Sequence, residues 1–314
     1  FYIDKERVSL SLNGGIVNIE NFNINTEVIY SCLKYAYYES KNRKQGEAVI
    51  FTDALTDVNR LHIEKLNTIR NCVSENCKGF YLCYQPIVDA ETEQLKGMEA
   101  LIRWRSEDYG TVPPVQFIPV LEQDSLFPEL GRWIMRQAMT DGSKLVDTHP
   151  DFIVNINLSY AQLEMNSFTA EVMQLLKETG LPPQNLCLEI TERCKIVDIA
   201  RLKNMFRFFR EQGIKVALDD FGTGFSSLGI LRDLPVDTVK IDREYVKNVQ
   251  TSHADQSTVQ FISNLAEAFS AGVCVEGVET AEMRDILRSY QVRSFQGYYY
   301  SKPIPIDEFM KKYR

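Results

Sequence analysis

From residue 79 onward the chain alternates short apolar segments with longer segments of helical periodicity, and this alternation restricts the fold more than any other feature. Eight apolar segments are typical of buried strands, at residues 80–88, 98–104, 152–158, 186–190, 216–218, 238–241, 273–276 and 294–299. Between most of them apolar residues recur at helical spacing, as in residues 168–179, 199–212, 259–271 and 282–290. The pattern predicts parallel strands joined by helical crossovers.

Eight strands within ~235 residues match the number and length of a TIM-like (β/α)8 barrel. The alternative is an open doubly wound sheet, whose first strand is usually followed by a Gly-x-Gly-x-x-Gly turn. That turn is missing from this sequence. We therefore predict an α/β fold with a TIM-like barrel over residues 77–314, preceded by a small N-terminal α/β fragment.

Residues 1–56 are predicted to form that fragment. Residues 8–12 alternate like a strand, Asn13-Gly14-Gly15 is typical of a turn, residues 27–41 have helical spacing, and residues 48–51 form a second strand. A unit of this size buries too little surface to be stable alone. Residues 57–76 have the spacing of a connecting helix. This helix serves as a linker or as a dimer helix, or it lies on the next domain.

Polar side chains stand at the end of nearly every predicted barrel strand. In chain order they are Gln85, Glu99, Arg103, Asn157, Glu189, Glu192, Asp219, Asp220, Lys240, Glu276, Glu279 and Gln296. In a barrel these positions converge on one face. So many carboxylates in one mouth repel each other by several kcal/mol unless cations are bound. The three histidines lie outside these motifs, so Mg²⁺ or Mn²⁺ suits the site better than Zn²⁺.

The segment 215–228 holds the densest part of this pattern. A short apolar strand runs into Asp219-Asp220 and then into Gly222-Thr223-Gly224. The two carboxylates fit metal or acid/base groups presented at a strand end. On its own, the segment fits a helix cap and a surface turn equally well, because Asp and Gly are favoured there too.

Composition limits the partners and the compartment. The formal net charge is −8, which argues against binding along duplex nucleic acid. No apolar run approaches the ~18 residues of a membrane span. The seven cysteines have no C-x-x-C spacing and are predicted to be reduced thiols. We expect a cytoplasmic protein, or the cytoplasmic part of a larger and membrane-anchored one.

With these motifs in place, residues 77–314 resemble the EAL-domain cyclic di-GMP phosphodiesterases. Glu99-Ala100-Leu101 is the naming motif of that family, and residues 219–228 match its most distinctive loop. The N-terminal fragment resembles the C-terminal half of a GGDEF (diguanylate cyclase) domain, through Glu39-Ser40-Lys41 and the passage to Gly46. The GGDEF active-site sequence is absent from this chain, so no cyclase activity is implied.

The resemblance implies a role for each site residue. Glu99, Asn157, Glu189 and Asp219 would hold one metal ion, and Asp219, Asp220 and Glu276 a second. Lys240 would position or deprotonate the attacking water, Glu192 would anchor the loop after Asp219, and Glu279 and Gln296 would complete the surroundings of that water. Substrate would contact Gln85, Leu101, Arg103 and Gln296. Arg103 would bind a phosphate, which its bidentate fork suits.

Two functional classes follow from the resemblance. The first is an enzyme that uses two Mg²⁺ or Mn²⁺ ions to hydrolyse cyclic di-GMP to linear pGpG. The second is a catalytically silent receptor that binds cyclic di-GMP and signals through the N-terminal unit. Receptors of this family typically lose metal ligands, and every expected ligand is present here, so we favour the enzyme.

The resemblance also implies a homodimer. We further predict that Tyr298-Tyr299-Tyr300 packs within the last strand and does not stack on a base.

Overall fold

The computed structural model describes residues 2–3, 6–7, 11–18, 26–41, 43–51, 56–122, 124, 126–191, 198–222 and 227–313. The chain divides into two compact units, Phe1–Asn76 and Cys77–Arg314. No helix among the described residues is both long enough and apolar enough to cross a bilayer.

The first unit is a small α/β arrangement. Its elements are the antiparallel strands β1 (Tyr2–Ile3) and β2 (Glu6–Arg7), then β3 (Gly14–Val17), α1 (Thr26–Lys41), β4 (Ala48–Phe51) and α2 (Thr56–Ser74). Strands β3 and β4 pair in parallel and α1 connects them. A small core joins Cys32 and Ala36 of α1 to Val49 and Phe51 of β4.

The first strand of this parallel pair lies where the sequence predicts a turn. The predicted strand at residues 8–12 lies partly outside the described residues, and residues 11–12 are not in a strand. Gly14 and Gly15 belong to β3 instead. A Cβ at Gly15 would lie 2.3 Å from the backbone nitrogen of Tyr37 in α1. Glycine here therefore marks a close approach between strand and helix, which the sequence alone does not separate from a turn.

The second unit is a closed eight-stranded barrel, as predicted. Its wall consists of β5 (Phe80–Asp89), β6 (Leu95–Ser106), β8 (Ile153–Asn157), β9 (Leu186–Thr191), β10 (Lys215–Phe221), β11 (Thr238–Ile241), β12 (Gly272–Val275) and β13 (Ser294–Gln296). Each strand pairs with the next, and β13 closes the ring by pairing with β5. Two short strands extend the sheet, β7 (Gly110–Val112) beside β6 and β14 (Ile304–Pro305) beside β5.

Helices cover the outside of the barrel. They are α3 (Pro114–Leu121), α4 (Phe127–Val146), α5 (Tyr160–Leu163), α6 (Phe168–Thr179), α7 (Ile199–Glu211), α8 (Ser227–Asp233), α9 (His253–Ala268), α10 (Ala281–Leu287) and α11 (Ile306–Tyr313). Local sequence fixes several of their ends. Thr280, for example, accepts a hydrogen bond from the backbone N–H of Met283 at the start of α10, and Gly180 ends α6 in a left-handed conformation. The apolar faces of the other helices, but not that of α3, pack on the strands in one continuous core.

The direction of the first barrel strand corrects the all-parallel prediction. Strand β5 is antiparallel to both neighbours, β6 and β13. Only five residues separate β5 from β6, and Asp89 closes the turn by accepting hydrogen bonds from the backbone N–H groups of Glu91 and Thr92. A link this short makes a hairpin and cannot make a parallel crossover. Gln85 nevertheless lies opposite Glu99, so it reaches the same level of the barrel.

The last barrel strand is shorter than predicted. It ends at Gln296, and residues 298–300 form a turn. The ring of Tyr298 is 52% exposed, and Tyr299 is also exposed, while Tyr300 packs against the core. The expectation that all three tyrosines pack within a strand is wrong. Their apolar character suits a strand, but Gly297 lies against the backbone of Val278 and turns the chain before the run begins.

Candidate active site

Four carboxylates surround one buried lysine inside the barrel. The Nζ atom of Lys240 lies 2.7 Å from Glu276 Oε1, 2.8 Å from Glu189 Oε2, 3.4 Å from Glu99 Oε2 and 3.5 Å from Asp219 Oδ1. Lys240 is only 1% exposed. Five of the predicted site residues, from five different strands or strand ends, therefore meet at one point.

Strand register explains why these side chains meet. Alternate residues of a strand face the same side of the sheet, and neighbouring strands are aligned so that Glu189 lies beside Asn157 on one side and Ala217 on the other. Glu99 in turn lies opposite Gln85. The inward positions of successive strands therefore fall at similar heights. One step of slip in any strand would turn its site residue outward.

Amide side chains complete the cluster around Glu99. Asn157 Nδ2 donates a hydrogen bond of 2.7 Å to Glu99 Oε1, and Gln296 Nε2 donates one of 2.6 Å to Glu99 Oε2. Gln296 Nε2 also donates to Gln85 Oε1 at 3.1 Å, and Gln85 Nε2 donates to the carbonyl oxygen of Ser301. Because both oxygens of Glu99 are held, its carboxylate has a fixed orientation.

The charge in this cluster is not balanced by protein groups. Burial raises the pKa of Glu189 and of Asp219, and raises the pKa of Glu276 to about 8, in each case partly opposed by Lys240. Burial would also raise the pKa of Glu99, but Lys240 and the two amide donors outweigh it, so this pKa is lowered. Burial alone would lower the pKa of Lys240, yet the four carboxylates raise it well above its usual range.

A single ammonium therefore faces four acids, and two carboxylate oxygens have no hydrogen-bond partner. Among the described residues, Glu189 Oε1 and Asp219 Oδ1 are buried without one. No three His, Cys, Asp or Glu side chains in the described part of the chain are grouped closely enough to hold a metal ion. The four acids instead surround Lys240. Carboxylate and amide oxygens are the ligands that Mg²⁺ and Mn²⁺ prefer. The donor set fits a hard divalent cation.

Two cavities open beside the cluster. The larger, about 440 Å³, is lined by Leu101, Arg103, Asn157 and Asp220 together with the apolar side chains of α3 and α4. The smaller, about 160 Å³, is lined by Gln85, Glu276, Glu279, Gln296, Arg243 and Tyr298. All predicted substrate-binding residues therefore line one of the two cavities.

The backbone is constrained where the chain leaves two of these strands. Asp220 has φ of 54°, in the left-handed region that side chains rarely adopt, and Gly222 and Gly277 have positive φ as well. Tyr245 donates a hydrogen bond from its hydroxyl to the carbonyl oxygen of Gly222. A strained non-glycine residue at a strand end is typical of a functional site. Here it turns Asp220 toward the larger cavity, whereas Asp219 lies against Lys240.

Sequence reasoning missed two residues of the smaller cavity. Arg243 forms an ion pair of 3.1 Å with Glu279, and Tyr298 is open to the cavity. The position of Arg243, three residues after Lys240, was the only available signal. Glu192 lies outside the described residues, as do residues 223–226 of the loop 220–227 that it is predicted to anchor, so that role stays a prediction.

The cysteine prediction agrees with the structure where it is described. Cys32, Cys77, Cys83, Cys187 and Cys274 are free thiols. Burial raises the pKa of Cys187 and raises that of Cys274 to about 12. Neither thiol is therefore a nucleophile near neutral pH, and the chemistry of the site rests on oxygen and nitrogen groups.

Two curated relatives with named activities match most of this chain. The chain is 34% identical over 227 residues to cyclic di-GMP phosphodiesterase PA2567 of Pseudomonas aeruginosa, an alignment that covers 72% of this chain and 39% of the relative. It is 31% identical over 283 residues to cyclic di-GMP phosphodiesterase NbdA of the same organism, covering 89% and 36%. The chain spans 34% to 44% of the length of the curated relatives compared.

Solved structures match the fold as well. The EAL enzyme Bd1971 bound to cAMP and cyclic di-GMP aligns with a TM-score of 0.77 and 30% identity, covering 93% of this chain and 77% of that one. The PaMucR phosphodiesterase in complex with c-di-GMP aligns with a TM-score of 0.72 and 30% identity, covering 78% and 98%. A family model for the EAL domain matches residues 67–303, and the chain therefore belongs to the EAL domain family.

Proposed function

We propose that this chain hydrolyses one phosphodiester bond of cyclic di-GMP and releases linear pGpG, with Mg²⁺ or Mn²⁺ as cofactor. The observation that carries the proposal is the excess of four carboxylates, three of them buried, over one lysine, beside a cavity that holds Arg103. Two relatives are named cyclic di-GMP phosphodiesterases, and two solved relatives contain cyclic di-GMP.

The proposed ligands divide between two ions. Glu99, Asn157, Glu189 and Asp219 would hold the first. Asp219, Asp220 and Glu276 would hold the second. Divalent ions supply an activated water and stabilise charge on the phosphate oxygens when they are bound. The protein's own contribution is an orientation fixed in advance, since Glu99 is held by Asn157 and Gln296 before any ion arrives.

Lys240 would act on the attacking water. Its ammonium contacts both proposed sets of ligands, through Glu189 and Glu276. In that position it neutralises part of their repulsion and can hold a water by hydrogen bonding. Its raised pKa keeps it charged in the structure described here, which favours positioning over accepting a proton. Glu279, paired with Arg243, would complete the polar surroundings of that water.

The larger cavity would bind the nucleotide. Arg103 offers a planar donor group for a phosphate, and Leu101 with the apolar wall of α3 and α4 offers a surface for a base. Gln85 and Gln296, which are hydrogen-bonded to each other, would contact substrate from the smaller cavity. Substrate would then be contacted from both cavities, by Leu101 and Arg103 in the larger one and by Gln85 and Gln296 in the smaller one.

The alternative function is a silent receptor for cyclic di-GMP. It would keep the cavities but lack a working cluster. All the proposed metal ligands are present, and Glu99, Glu189, Asp219 and Glu276 meet at Lys240. We therefore favour the enzyme.

We also propose that the first unit is a partial GGDEF-like fragment that modulates the barrel, and that the protein is a homodimer.

The decisive experiment is a product assay. We expect cyclic di-GMP incubated with the protein and Mg²⁺ or Mn²⁺ to give linear pGpG on chromatography. Chelation by EDTA should stop the reaction, and Ca²⁺ should not restore it, because the longer and less regular coordination of Ca²⁺ disturbs the in-line geometry.

The substitution Asp219→Asn should lower kcat by at least ~100-fold, since it removes a charge from the cluster. Binding of cyclic di-GMP without any product in the presence of both metals would instead establish the receptor.

A further inference from the structure

The layer of side chains directly beneath the acidic cluster is unusually small. On each strand, the residue two positions below a site residue faces the same interior. These residues are Gly97, Asn155, Cys187, Ala217, Thr238, Cys274 and Ser294. In barrels of this kind, such a layer is normally filled with Val, Ile and Leu. The exception here is Ile87 on the antiparallel strand β5.

These small residues leave a cavity of about 90 Å³. Glu189 and Lys240 form its upper wall, next to the acidic cluster. Thr238 and Ser294 contribute hydroxyl groups to its sides, and the exposed Lys215 lies at its far end. A water needs about 10–15 Å³ of such space, so the cavity has room for a few waters but not for a nucleotide. We call it the lower chamber.

Glu189, which lines the lower chamber, lacks one hydrogen-bond donor among the described residues. Glu189 is completely buried. Its Oε2 accepts a hydrogen bond from Lys240, but its Oε1 has no partner among the described residues. A buried carboxylate oxygen left without a donor is costly. The lower chamber is bounded by Glu189 itself, and its walls carry hydroxyl, amide and thiol groups.

We propose that the lower chamber binds ordered water, which donates a hydrogen bond to Glu189 Oε1 and so holds Glu189 and Lys240 in place from below. Thr238 and Ser294 are then positioning residues, because they hold the water and do not touch substrate. Ile87 and Ile153 make part of the wall apolar, but Asn155, Thr238 and Ser294 also line the chamber. A chamber with such donors and acceptors retains water, whereas a wholly apolar chamber of this size stays dry.

The consequence for function rests on the proposed role of Glu189 as a metal ligand. Groups that hydrogen-bond a metal ligand from behind typically change metal affinity or activity by about 10–100-fold. The walls of the lower chamber would therefore tune metal binding, although they are separated from the substrate cavities by the acidic cluster. Ser294 and Thr238 should affect kcat and metal affinity, and should leave the KM for cyclic di-GMP unchanged.

The test uses two pairs of variants in the full chain. Ser294→Ala removes a hydroxyl from the chamber. Ser263→Ala removes a buried hydroxyl from α9, outside the barrel interior, where its oxygen has no described partner. Thr238→Val removes a hydroxyl but keeps the shape, whereas Thr238→Ser keeps the hydroxyl and loses a methyl. Mn²⁺ affinity is measured by titration calorimetry without substrate, and kcat and KM are measured with cyclic di-GMP.

We expect Ser294→Ala and Thr238→Val to bind Mn²⁺ about 10-fold more weakly than wild type. Ser263→Ala and Thr238→Ser should bind it as wild type does. Wild-type affinity in both chamber variants, or a larger loss in Thr238→Ser than in Thr238→Val, would overturn the proposal, because only packing would then matter. A high-resolution crystal structure without water density in the chamber would do the same. If the affinities follow the expected order but wild type forms no pGpG, the water site stands and the proposed function fails.

Discussion

Single residues in this site have a pH dependence that can be worked out from the sign of their pKa shifts. Burial raises the pKa of Glu276 to about 8 and raises those of Glu189 and Asp219. A carboxyl group with a raised folded-state pKa binds its proton more tightly in the native protein than in the unfolded chain. Its contribution to stability is complete below its ordinary pKa, 4.5 for Glu and 3.8 for Asp, and is lost as pH rises through the folded-state value. The metal-free protein should therefore lose stability between about pH 4.5 and pH 8.

This prediction is checked by thermal unfolding in chelator over that pH range. Glu276→Gln should flatten part of the decline, because glutamine carries no proton to lose, and saturating Mg²⁺ should flatten it further, because an ion binds the deprotonated form. The part of the stability loss that comes from Glu276 should vary only weakly with pH, since the side chain of Glu276 is still 20% exposed. The lowered pKa of Glu99 acts in the opposite sense but below pH 4.5. A metal-free protein whose stability rises from pH 5 to pH 8 would contradict this account.

At the scale of elements, the contact between the end of β13 and residues 276–279 decides the geometry of the smaller cavity. A Cβ at Gly297 would lie 2.0 Å from the carbonyl oxygen and 2.4 Å from the nitrogen of Val278. Neither backbone atom can move alone, so Gly297→Ala must shift β13 against the segment that carries Glu276 and Glu279. We expect destabilisation of several kcal/mol, as for other severe overpacking, with activity reduced at least ~10-fold by misplaced groups.

The matched control for this prediction is Gly229→Ala in α8. A Cβ at Gly229 meets nothing within 4 Å, and alanine favours a helix over glycine by roughly 0.5–1 kcal/mol. The free energy of unfolding, from urea titration, should therefore stay the same or rise slightly. Equal effects of the two substitutions would show that the close packing at Gly297 is not important.

At the scale of the whole molecule, the proposed chemistry is confined to the second unit. All predicted site residues, from Gln85 to Gln296, belong to residues 77–314, the unit that carries the barrel. A truncated chain beginning at Asn76 should fold, judged by circular dichroism, and should retain metal-dependent hydrolysis. Comparing its sedimentation mass with that of the full chain shows whether α2 contributes to pairing. A folded, metal-loaded but inactive truncation would mean that the first unit contributes directly to the site.

Much of the architecture was predictable from the sequence because it depends on local pattern. Apolar segments with helical spacing between them gave all eight barrel strands, since burial on both faces requires a continuous apolar run. The meeting of Glu99, Glu189, Asp219, Glu276 and Lys240 was predictable because parallel strands present their ends at one face. Alternation with a period of two likewise determines that Cys187 and Glu189 face the same interior.

The tertiary structure alone decided the strand directions, the register and the distances, because these depend on how the strands meet. The antiparallel direction of β5 follows from barrel closure with a short hairpin, which no pattern inside β5 records. Register between strands separated by up to 197 residues brings Gln296 and Lys240 to Glu99. The same register places the small residues of several strands in one layer, where the lower chamber opens. Each strand's composition shows only which face is buried. The distances between strands, and therefore the lysine-centred cluster and the space beneath it, arise when the sheet closes on itself.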